Sequence, residues 1–279
     1  MTLPSSVAVI GLGLMGGSLA RDLAAMGCNV LGYDSRPEIG PAAERAGVVH
    51  VLLDSSLEGA RTASLIVIAT PVDVAIATLS KLARIVASDA TITDVGSTKA
   101  AIVARAEELG IGPRFVGSHP LTGDHRSGWR AGRRSLYEGS TVFLCPAPSA
   151  LPETREAIRG FWESVGASCV NLGAEEHDLR LAWASHLPQV CSSALAATLD
   201  TAGLGPEQLG PGGRDATRLA ASSPELWRAI ALTNAVSLQA AVASLREHLA
   251  EFETALRERD SAALLRFFQR ASDWARPEA

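Results

Sequence analysis

Apolar and polar positions in the first part of the chain follow two alternating patterns. Seven short runs rich in β-branched and apolar residues have the length of strands, and helical patterns such as 72–87 and 99–109 lie between them. The predicted strands cover residues 7–10, 29–33, 65–69, 91–95, 115–118, 141–144 and 169–172. Such alternation predicts a mostly parallel sheet with helices on both faces. The last strands follow too closely for full crossover helices, which predicts a mixed edge.

Beyond residue 172 the pattern is helical, and we predict no strand there. One helix begins in an acidic turn and covers about 175–199, with acidic side chains suited to its N-terminus. Pro188 lies inside this helix and predicts a kink. A loop rich in Gly and Pro spans 203–213, and a second long helix runs from its cap Ser223 to about residue 257. Asp260 predicts the cap of a final helix.

A glycine-rich turn joins the first predicted strand to the first helix, in the order Gly11-x-Gly13-x-x-Gly16. Gly11 permits the tight turn, Gly13 lets the backbone approach a pyrophosphate, and Gly16 lets the helix pack against the strand. The helix N-terminus then binds the phosphates through its free N–H groups and its dipole. The order of strand, turn and helix predicts a dinucleotide site.

An acidic residue, Asp34, ends the second predicted strand at the distance expected for a ligand of the ribose 2′-hydroxyl. It favours NAD over NADP. Arg36 follows at once and can accommodate a 2′-phosphate, so NADP stays possible. The predicted cofactor contacts are Gly11, Leu12, Gly13, Leu14, Met15, Gly16, Asp34, Ser35, Arg36, Thr70, Pro71, Asp94 and Gly96.

Composition fits two packed domains and argues against several partners. The chain has 279 residues, 47% of them hydrophobic and 20% charged. A net charge of −5 without a basic block argues against nucleic acid. No apolar run approaches the ~20 residues of a membrane span, and the chain start lacks a secretory signal pattern. Four scattered cysteines without a Cys-x-x-Cys pair indicate a reducing cytoplasm, where we expect the protein.

These observations together predict two domains. Residues 1–172 form a dinucleotide-binding domain with a Rossmann-type, doubly wound, mostly parallel sheet. Residues 173–279 form an all-helical domain for substrate binding and dimerisation, because small helical domains rich in Ala and Leu often form homodimer interfaces.

Polar side chains recur at the carboxyl ends of the predicted strands, where ligands of open α/β sheets bind. His119 follows the fifth strand and is the candidate acid or base, since its pKa suits proton transfer near neutral pH. Ser97 follows the fourth strand and is placed to orient the imidazole. The alternative is a structural histidine in a turn before proline.

The helical part adds candidate substrate contacts. His186 lies on an apolar helix face, and periodicity alone favours a satisfied core histidine; Gln189 follows it. Arg214 and Arg218 follow a flexible turn and suit paired hydrogen bonds to a carboxylate, although a solvated pair with Asp215 is an equal alternative. No metal-ligand spacing is present in the sequence. A nicotinamide, a base and an arginine indicate hydride transfer on a small acid with a hydroxyl or carbonyl group.

Several motifs, in order along nearly the whole chain, resemble the prephenate/arogenate dehydrogenase family of tyrosine biosynthesis. They are the glycine turn at 11–18, Asp94-Val-Gly-Ser-Thr-Lys99, Gly117-Ser-His-Pro120, His177-Asp178, Ser185-His-Leu-Pro188, Gly213-Arg-Asp-Ala-Thr-Arg218 and Ser223-Pro-Glu-Leu-Trp227.

The resemblance implies an NAD-dependent oxidative decarboxylation of prephenate to 4-hydroxyphenylpyruvate. NAD takes a hydride from the ring carbon that carries the hydroxyl, His119 accepts the hydroxyl proton, and carbon dioxide leaves. By similarity, Ser97 hydrogen-bonds His119 and the substrate hydroxyl, and Arg214 binds the side-chain carboxylate with His186 nearby. The helical domain is expected to form the homodimer.

Two departures from the family pattern keep the substrate open. Gln189 stands where many relatives have histidine, and His125 lies in a segment where many have an acidic residue. Arogenate or an amino-deoxyprephenate is therefore an alternative substrate. A β-hydroxyacid dehydrogenase is disfavoured, because its catalytic lysine lies in the helical domain and no lysine follows Lys99. A non-catalytic nicotinamide-binding sensor is the more distant alternative.

Overall fold

One eight-stranded sheet forms the centre of the N-terminal part, in the order β3-β2-β1-β4-β5-β6-β7-β8. The computed structural model describes residues 4–87, 89–123, 126 and 128–276. The strands are β1 Ser6–Ile10, β2 Asn29–Tyr33, β3 Val51–Leu52, β4 Leu65–Ile68, β5 Thr91–Asp94, β6 Phe115–Pro120, β7 Thr141–Pro146 and β8 Ser168–Asn171. Neighbouring strands pair in parallel except β6 and β7, which are antiparallel.

Eleven α-helices lie in the described part of the chain. They are α1 Leu14–Ala25, α2 Ile39–Arg45, α3 Val72–Leu82, α4 Ala100–Glu108, α5 Pro152–Ser164, α6 Ala174–Leu181, α7 Leu187–Thr201, α8 Pro211–Thr217, α9 Pro224–Thr233, α10 Ala235–Glu258 and α11 Ser261–Ala275. Short 3₁₀ helices cover Glu58–Thr62, Gly112–Arg114, Trp129–Ala131, Pro206–Gln208 and Arg218–Ala221. Over the described residues, no helix has both the length and the hydrophobicity to cross a membrane.

Alternating side chains of the strands build two cores, one on each face of the sheet. Val7 and Val9 of β1 pack into a cluster with residues of α1 and α5. Ala8 and Ile10 point to the other face and pack with residues of α3 and α4. The fold prediction, a doubly wound and mostly parallel sheet followed by helices, is confirmed, and so is the mixed edge. The sequence pattern missed β3, because two exposed residues leave no alternation to detect.

The kink predicted at Pro188 takes the form of a π-helical turn. This turn, Ala182–His186, separates α6 from α7, and Pro188 is the second residue of α7. A proline ring clashes with the carbonyl four residues earlier, here that of Ala184, and a wider turn relieves the clash.

Other helix boundaries differ from the sequence pattern. The long helix predicted over 223–257 is two helices, because the backbone of Asn234 leaves helical geometry between α9 and α10. The side-chain amide of Asn234 donates a hydrogen bond to the backbone carbonyl of Asp178 at 2.7 Å, while its backbone N–H still donates to the carbonyl of Ile230. Much of the loop predicted over 203–213 is helical. The cap prediction for Asp260 is confirmed, since its carboxylate accepts hydrogen bonds from the N–H groups of Ala262 and Ala263.

Side chains of the helical part dock against the carboxyl edge of the sheet. The Asp178 carboxylate of α6 accepts hydrogen bonds from the N–H groups of Lys99 and Ala100, where α4 begins. The hydroxyls of Thr98 and Thr233 pair at 2.8 Å. These contacts place α6 and α9 beside the ends of β5 and β6.

Trp162 of α5 tests the packing of one sheet face. Its indole N–H donates a buried hydrogen bond to the Ser118 hydroxyl at 2.9 Å. Trp162→Phe should lower the free energy of unfolding by about 1–3 kcal/mol, because a buried polar partner is lost. Trp274→Phe is the control, since Trp274 is 86% exposed, and should change it by less than about 0.5 kcal/mol. Urea unfolding measures both, and equal losses would contradict the packing role.

Candidate active site

A cavity of about 390 Å³ opens beyond the carboxyl ends of β1, β4, β5 and β6. It is lined by Gly13, Leu14, Met15, Ala69, Thr70, Pro71, Val72, Val95, Gly96, Ser97, His119, Pro120, Thr122, Gly123, Arg126, Gly128, Ser223 and Leu226. Ser223 and Leu226 come from the helical part, so both parts of the chain enclose the cavity. The topology explains its position, since ligands of open parallel sheets bind beyond the strand carboxyl ends.

The glycine turn has the geometry that a dinucleotide site requires. Gly11 has a φ of +97°, and a Cβ there would lie 2.5 Å from the Ala69 carbonyl oxygen. A Cβ on Gly16 would lie 1.9 Å from the Gly11 carbonyl oxygen. Gly13 has open space where a Cβ would stand, and no side chain caps α1. The helix N-terminus is thus accessible to phosphate, and these residues fit the group.

Asp34 follows the end of β2 and contacts the glycine turn. Its carboxylate accepts hydrogen bonds from the N–H of Leu12 at 2.9 Å and from the backbone and guanidinium of Arg36. Burial raises the pKa of Asp34, but the hydrogen bonds from Arg36 and Leu12 outweigh it and leave the pKa below its ordinary value. An ionised Asp34 at this place fits a ribose hydroxyl donor. Ser35 and Arg36 are exposed beside it.

His119 lines the cavity and is held from behind by a second histidine. The His119 Nδ1 lies 2.9 Å from the His177 Nε2, and the His177 Nδ1 lies 2.8 Å from the Asp178 carboxylate. All three side chains are buried. Ser97 lines the same cavity, while the hydrogen bond at the Nδ1 of His119 involves His177.

Burial favours the neutral form of both histidines. It lowers the pKa of His119 well below the ordinary histidine value, and the neighbouring His177, Lys99 and His186 side chains lower it further. Burial also lowers the pKa of His177, although the hydrogen bond to Asp178 opposes this effect. A neutral imidazole at the cavity wall is suited to accept a proton.

A buried ion pair supports the turn between β5 and α4. The Lys99 ammonium donates hydrogen bonds to the Asp94 carboxylate and to the Ser118 carbonyl. Asp94 also accepts hydrogen bonds from the N–H groups of Gly96 and Ser118. Asp94, a predicted cofactor contact, is fully buried and lies behind the cavity, whereas Gly96 lines it.

His186 and Gln189, two predicted substrate contacts, are buried in the helical part. His186 pairs with the Asn234 amide and lies edge-on to Trp227, and burial lowers its pKa to about 4. The Gln189 amide donates a hydrogen bond to the Leu219 carbonyl at 2.8 Å. The structure therefore places both among packed helices, outside the cavity that His119 lines.

Arg214 and Arg218, the other two predicted substrate contacts, line a different cavity. That cavity has a volume of about 530 Å³ and lies among α7, α8 and the 3₁₀ turn after α8. Within one chain, it shares no lining residue with the cavity of His119. The single chain therefore does not bring Arg214 to the imidazole.

The sequence reasoning did not assign roles to His177, Asp178 and Lys99. The motif His177-Asp178 carried the family resemblance, but its 58-residue separation from His119 left no local signal of their contact. His125, where the chain departs from the family pattern, lies outside the described residues.

The doubly wound sheet, the glycine turn and a strand-end histidine define a dinucleotide-dependent oxidoreductase. Two family models match the chain: "Prephenate dehydrogenase, nucleotide-binding domain" over residues 19–171, and "Prephenate dehydrogenase, dimerization domain" over residues 173–270. The chain therefore belongs to the prephenate dehydrogenase family, and the family prediction is confirmed.

Individual relatives agree with this family. The prephenate dehydrogenase of Bacillus subtilis is 32% identical over 96% of this chain and 75% of its own length. A crystal structure of prephenate dehydrogenase from A. aeolicus, in complex with hydroxyphenyl propionate and NAD+, is 29% identical with a TM-score of 0.88, covering 98% of this chain and 97% of that one. The Synechocystis arogenate dehydrogenase structure is 28% identical with a TM-score of 0.82, covering 98% and 100%.

The glycine turn gives a matched pair of variants. Gly16→Ala should lower the free energy of unfolding by about 1–3 kcal/mol, because the new Cβ overlaps a backbone carbonyl. Gly13→Ala meets open space and should change it by less than about 0.5 kcal/mol. Both values come from urea unfolding, and a loss at Gly13 as large as at Gly16 would refute the geometry.

Proposed function

We propose that this protein catalyses the NAD-dependent oxidative decarboxylation of prephenate to 4-hydroxyphenylpyruvate. The observation that carries the proposal is the neutral His119 imidazole in a cavity enclosed by the glycine turn and the helical part. Family membership and a solved relative with NAD+ in its complex support the reaction class and the cofactor.

NAD bound at the glycine turn supplies the hydride acceptor. The N-terminus of α1 would hold the pyrophosphate, Asp34 the ribose, and Thr70, Pro71 and Gly96 the wall near His119. The full set of cofactor contacts is the one predicted above, with Asp94 acting through its hydrogen bond to the N–H of Gly96. Arg36 is ion-paired with Asp34, which favours NAD over NADP.

His119 acts as the general base. Its Nε2 accepts the proton of the ring hydroxyl as the hydride leaves the carbon that bears this hydroxyl. The ring carboxylate then departs as carbon dioxide, its electron pair makes the ring aromatic, and His119 returns the proton to the phenolic oxygen. A positioned base contributes about 10²- to 10⁴-fold to such a step. Ser97 lines the same cavity and hydrogen-bonds the substrate hydroxyl.

The helical part supplies the substrate-binding residues in a homodimer. Arg214 is exposed in its own chain and binds the side-chain carboxylate in the cavity of the second copy. Arg218 lies beside it, Gln189 holds the segment that carries Arg218, and His186 supports the same helices. The name of the family model for residues 173–270 and exposed apolar side chains such as Val236 support this dimer. The division of the chain into two domains at residue 172 and the cytoplasmic location both stay predictions.

Arogenate is the second candidate substrate. The Synechocystis arogenate dehydrogenase structure is similar over 98% of this chain, and the family resemblance marks Gln189 as a departure from the usual histidine. The keto and amino side chains of the two substrates differ in charge, and the reacting ring is the same. Recognition of the side chain therefore decides between them, and an amino-deoxy analogue belongs to the same alternative.

The assay that tests the proposal compares prephenate and arogenate, each with NAD and with NADP. We expect NADH absorbance with NAD and prephenate. Absence of turnover with all four combinations of substrate and cofactor would overturn the proposal. His119→Asn is the control and should lose about 10²- to 10⁴-fold in kcat with unchanged NAD affinity in calorimetry.

The pH dependence of the wild-type enzyme is a separate test. A base with a lowered pKa stays unprotonated to lower pH, so kcat/KM should fall only below the ordinary histidine pKa of about 6.5.

Arg214→Ala should weaken prephenate binding by about 2–5 kcal/mol, because one partner of a buried charge pair is removed. Mixing it with His119→Asn tests the shared site, since a mixed dimer has one cavity with both residues intact. After random exchange of subunits about half of the dimers are mixed, and each of these has one intact cavity out of two. The mixture should therefore regain about a quarter of the wild-type activity. An unchanged KM would assign the role to Arg218, and mixed dimers without activity would refute sharing between copies.

A further inference from the structure

We propose that His177 and Asp178 are positioning residues that keep the proton of the His119 imidazole on Nδ1, leaving a lone pair on Nε2. The inference deepens the proposed function and rests on it, since this lone pair is the one that accepts the substrate proton. The observation behind it is the continuous hydrogen-bonded row of His119, His177 and Asp178.

The row begins at Asp178, whose carboxylate lies within hydrogen-bond distance of three nitrogen atoms. The backbone N–H of Lys99 donates to Oδ1 at 2.7 Å, and that of Ala100 donates to Oδ2 at 2.9 Å. The His177 Nδ1 lies 2.8 Å from Oδ1. An ionised carboxylate can only accept hydrogen bonds, and the N-terminus of α4 favours the negative charge. Asp178 therefore requires a proton on the Nδ1 of His177.

The orientation passes from His177 to His119. A neutral imidazole with a proton on Nδ1 presents an acceptor at Nε2. The Nε2 of His177 lies 2.9 Å from the Nδ1 of His119, so this Nδ1 is the donor. The Nε2 of His119 then carries no proton. One carboxylate thus determines the tautomer of a histidine that it does not touch, because the hydrogen bond at one ring nitrogen fixes the other.

Packing makes the row rigid and keeps water from competing with it. His177 is fully buried, and its ring meets the rings of His119 and Phe143 edge to face, with centroids 5.1 Å and 5.6 Å away. Two charged groups beside the row, the ammonium of Lys99 and the carboxylate of Asp94, form an ion pair with each other. Burial lowers the pKa of His177 and of His186, so both rings stay neutral at the pH where the base works.

The direct test is the tautomer itself, read from ¹⁵N-histidine-labelled protein by long-range ¹H–¹⁵N correlation at about pH 8, above the ordinary histidine pKa. The six histidine signals are assigned by single substitutions, with His119→Asn identifying the signal of the base. We expect the proton on Nδ1 in both His119 and His177. A proton on Nε2 in either ring would overturn the proposal, whatever the protein does with prephenate.

Two substitutions of His177 separate positioning from simple packing. His177→Leu removes the acceptor for His119 and should lower kcat by about 10²-fold or more, with the KM for NAD unchanged and the His119 tautomer mixed. His177→Gln retains one donor and one acceptor, and should restore kcat to within about tenfold of the wild type and the proton to Nδ1. Equal turnover in both variants, with the tautomer unchanged, would refute the positioning role.

The same pair of substitutions at His248 is the control, because this histidine is exposed on α10 and pairs only with Glu251 among the groups described. His248→Leu and His248→Gln should leave kcat unchanged. A wild-type protein inactive on every cyclohexadienyl substrate would refute the proposed function and leave the tautomer measurement valid. An active protein with the opposite tautomer would refute the positioning role alone.

Discussion

The Asp178 carboxylate at the start of α4 is the contact on which the site depends. It satisfies two N–H groups that no helical partner can reach, and it belongs to the helical part rather than to the sheet. The same contact fixes α6 against the carboxyl edge of the sheet and brings His177 behind His119. The Asp178 side chain thus caps α4, joins the two parts of the chain and shapes the environment of His119.

Charges are buried around this contact, and each has a partner. Lys99 and Asp94 are both inaccessible to solvent, and each makes further hydrogen bonds to the backbone of the β5 and β6 ends. A buried ion pair offers little net stability, because desolvation offsets most of the attraction. Its consequence here is positional, since the same pair holds the turn with Gly96 and the strand end with Ser118.

One chain encloses the cavity of His119 and leaves the arginines of the helical part in a separate one. The separation follows from topology, because α8 packs on α7 while α9 turns back towards the sheet edge. In the proposed homodimer, a second copy brings Arg214 to this cavity, so substrate recognition would depend on dimer geometry. The side chains that distinguish a keto from an amino group would then belong to a different chain from His119.

The sequence by itself determined the features that depend on neighbouring residues. Short runs of β-branched and apolar residues specified seven of the eight strands, and the helical patterns between them specified helices on both faces of the sheet. The glycine spacing specified the turn, and Asp260 and Pro188 marked a cap and a distortion. Each follows from the preferences of a few consecutive residues, and so does the family resemblance, which rests on short motifs.

Only the tertiary structure decided which distant residues meet. It placed His177 against His119 across 58 positions, turned the Asn234 amide towards Asp178 and broke a helix there, and put Arg214 in a cavity of its own. No local pattern contains this information, because a side chain that hydrogen-bonds a distant segment has the same sequence neighbours as one that faces water. Burial and pairing, which set the protonation of His119, arise only when the chain has folded.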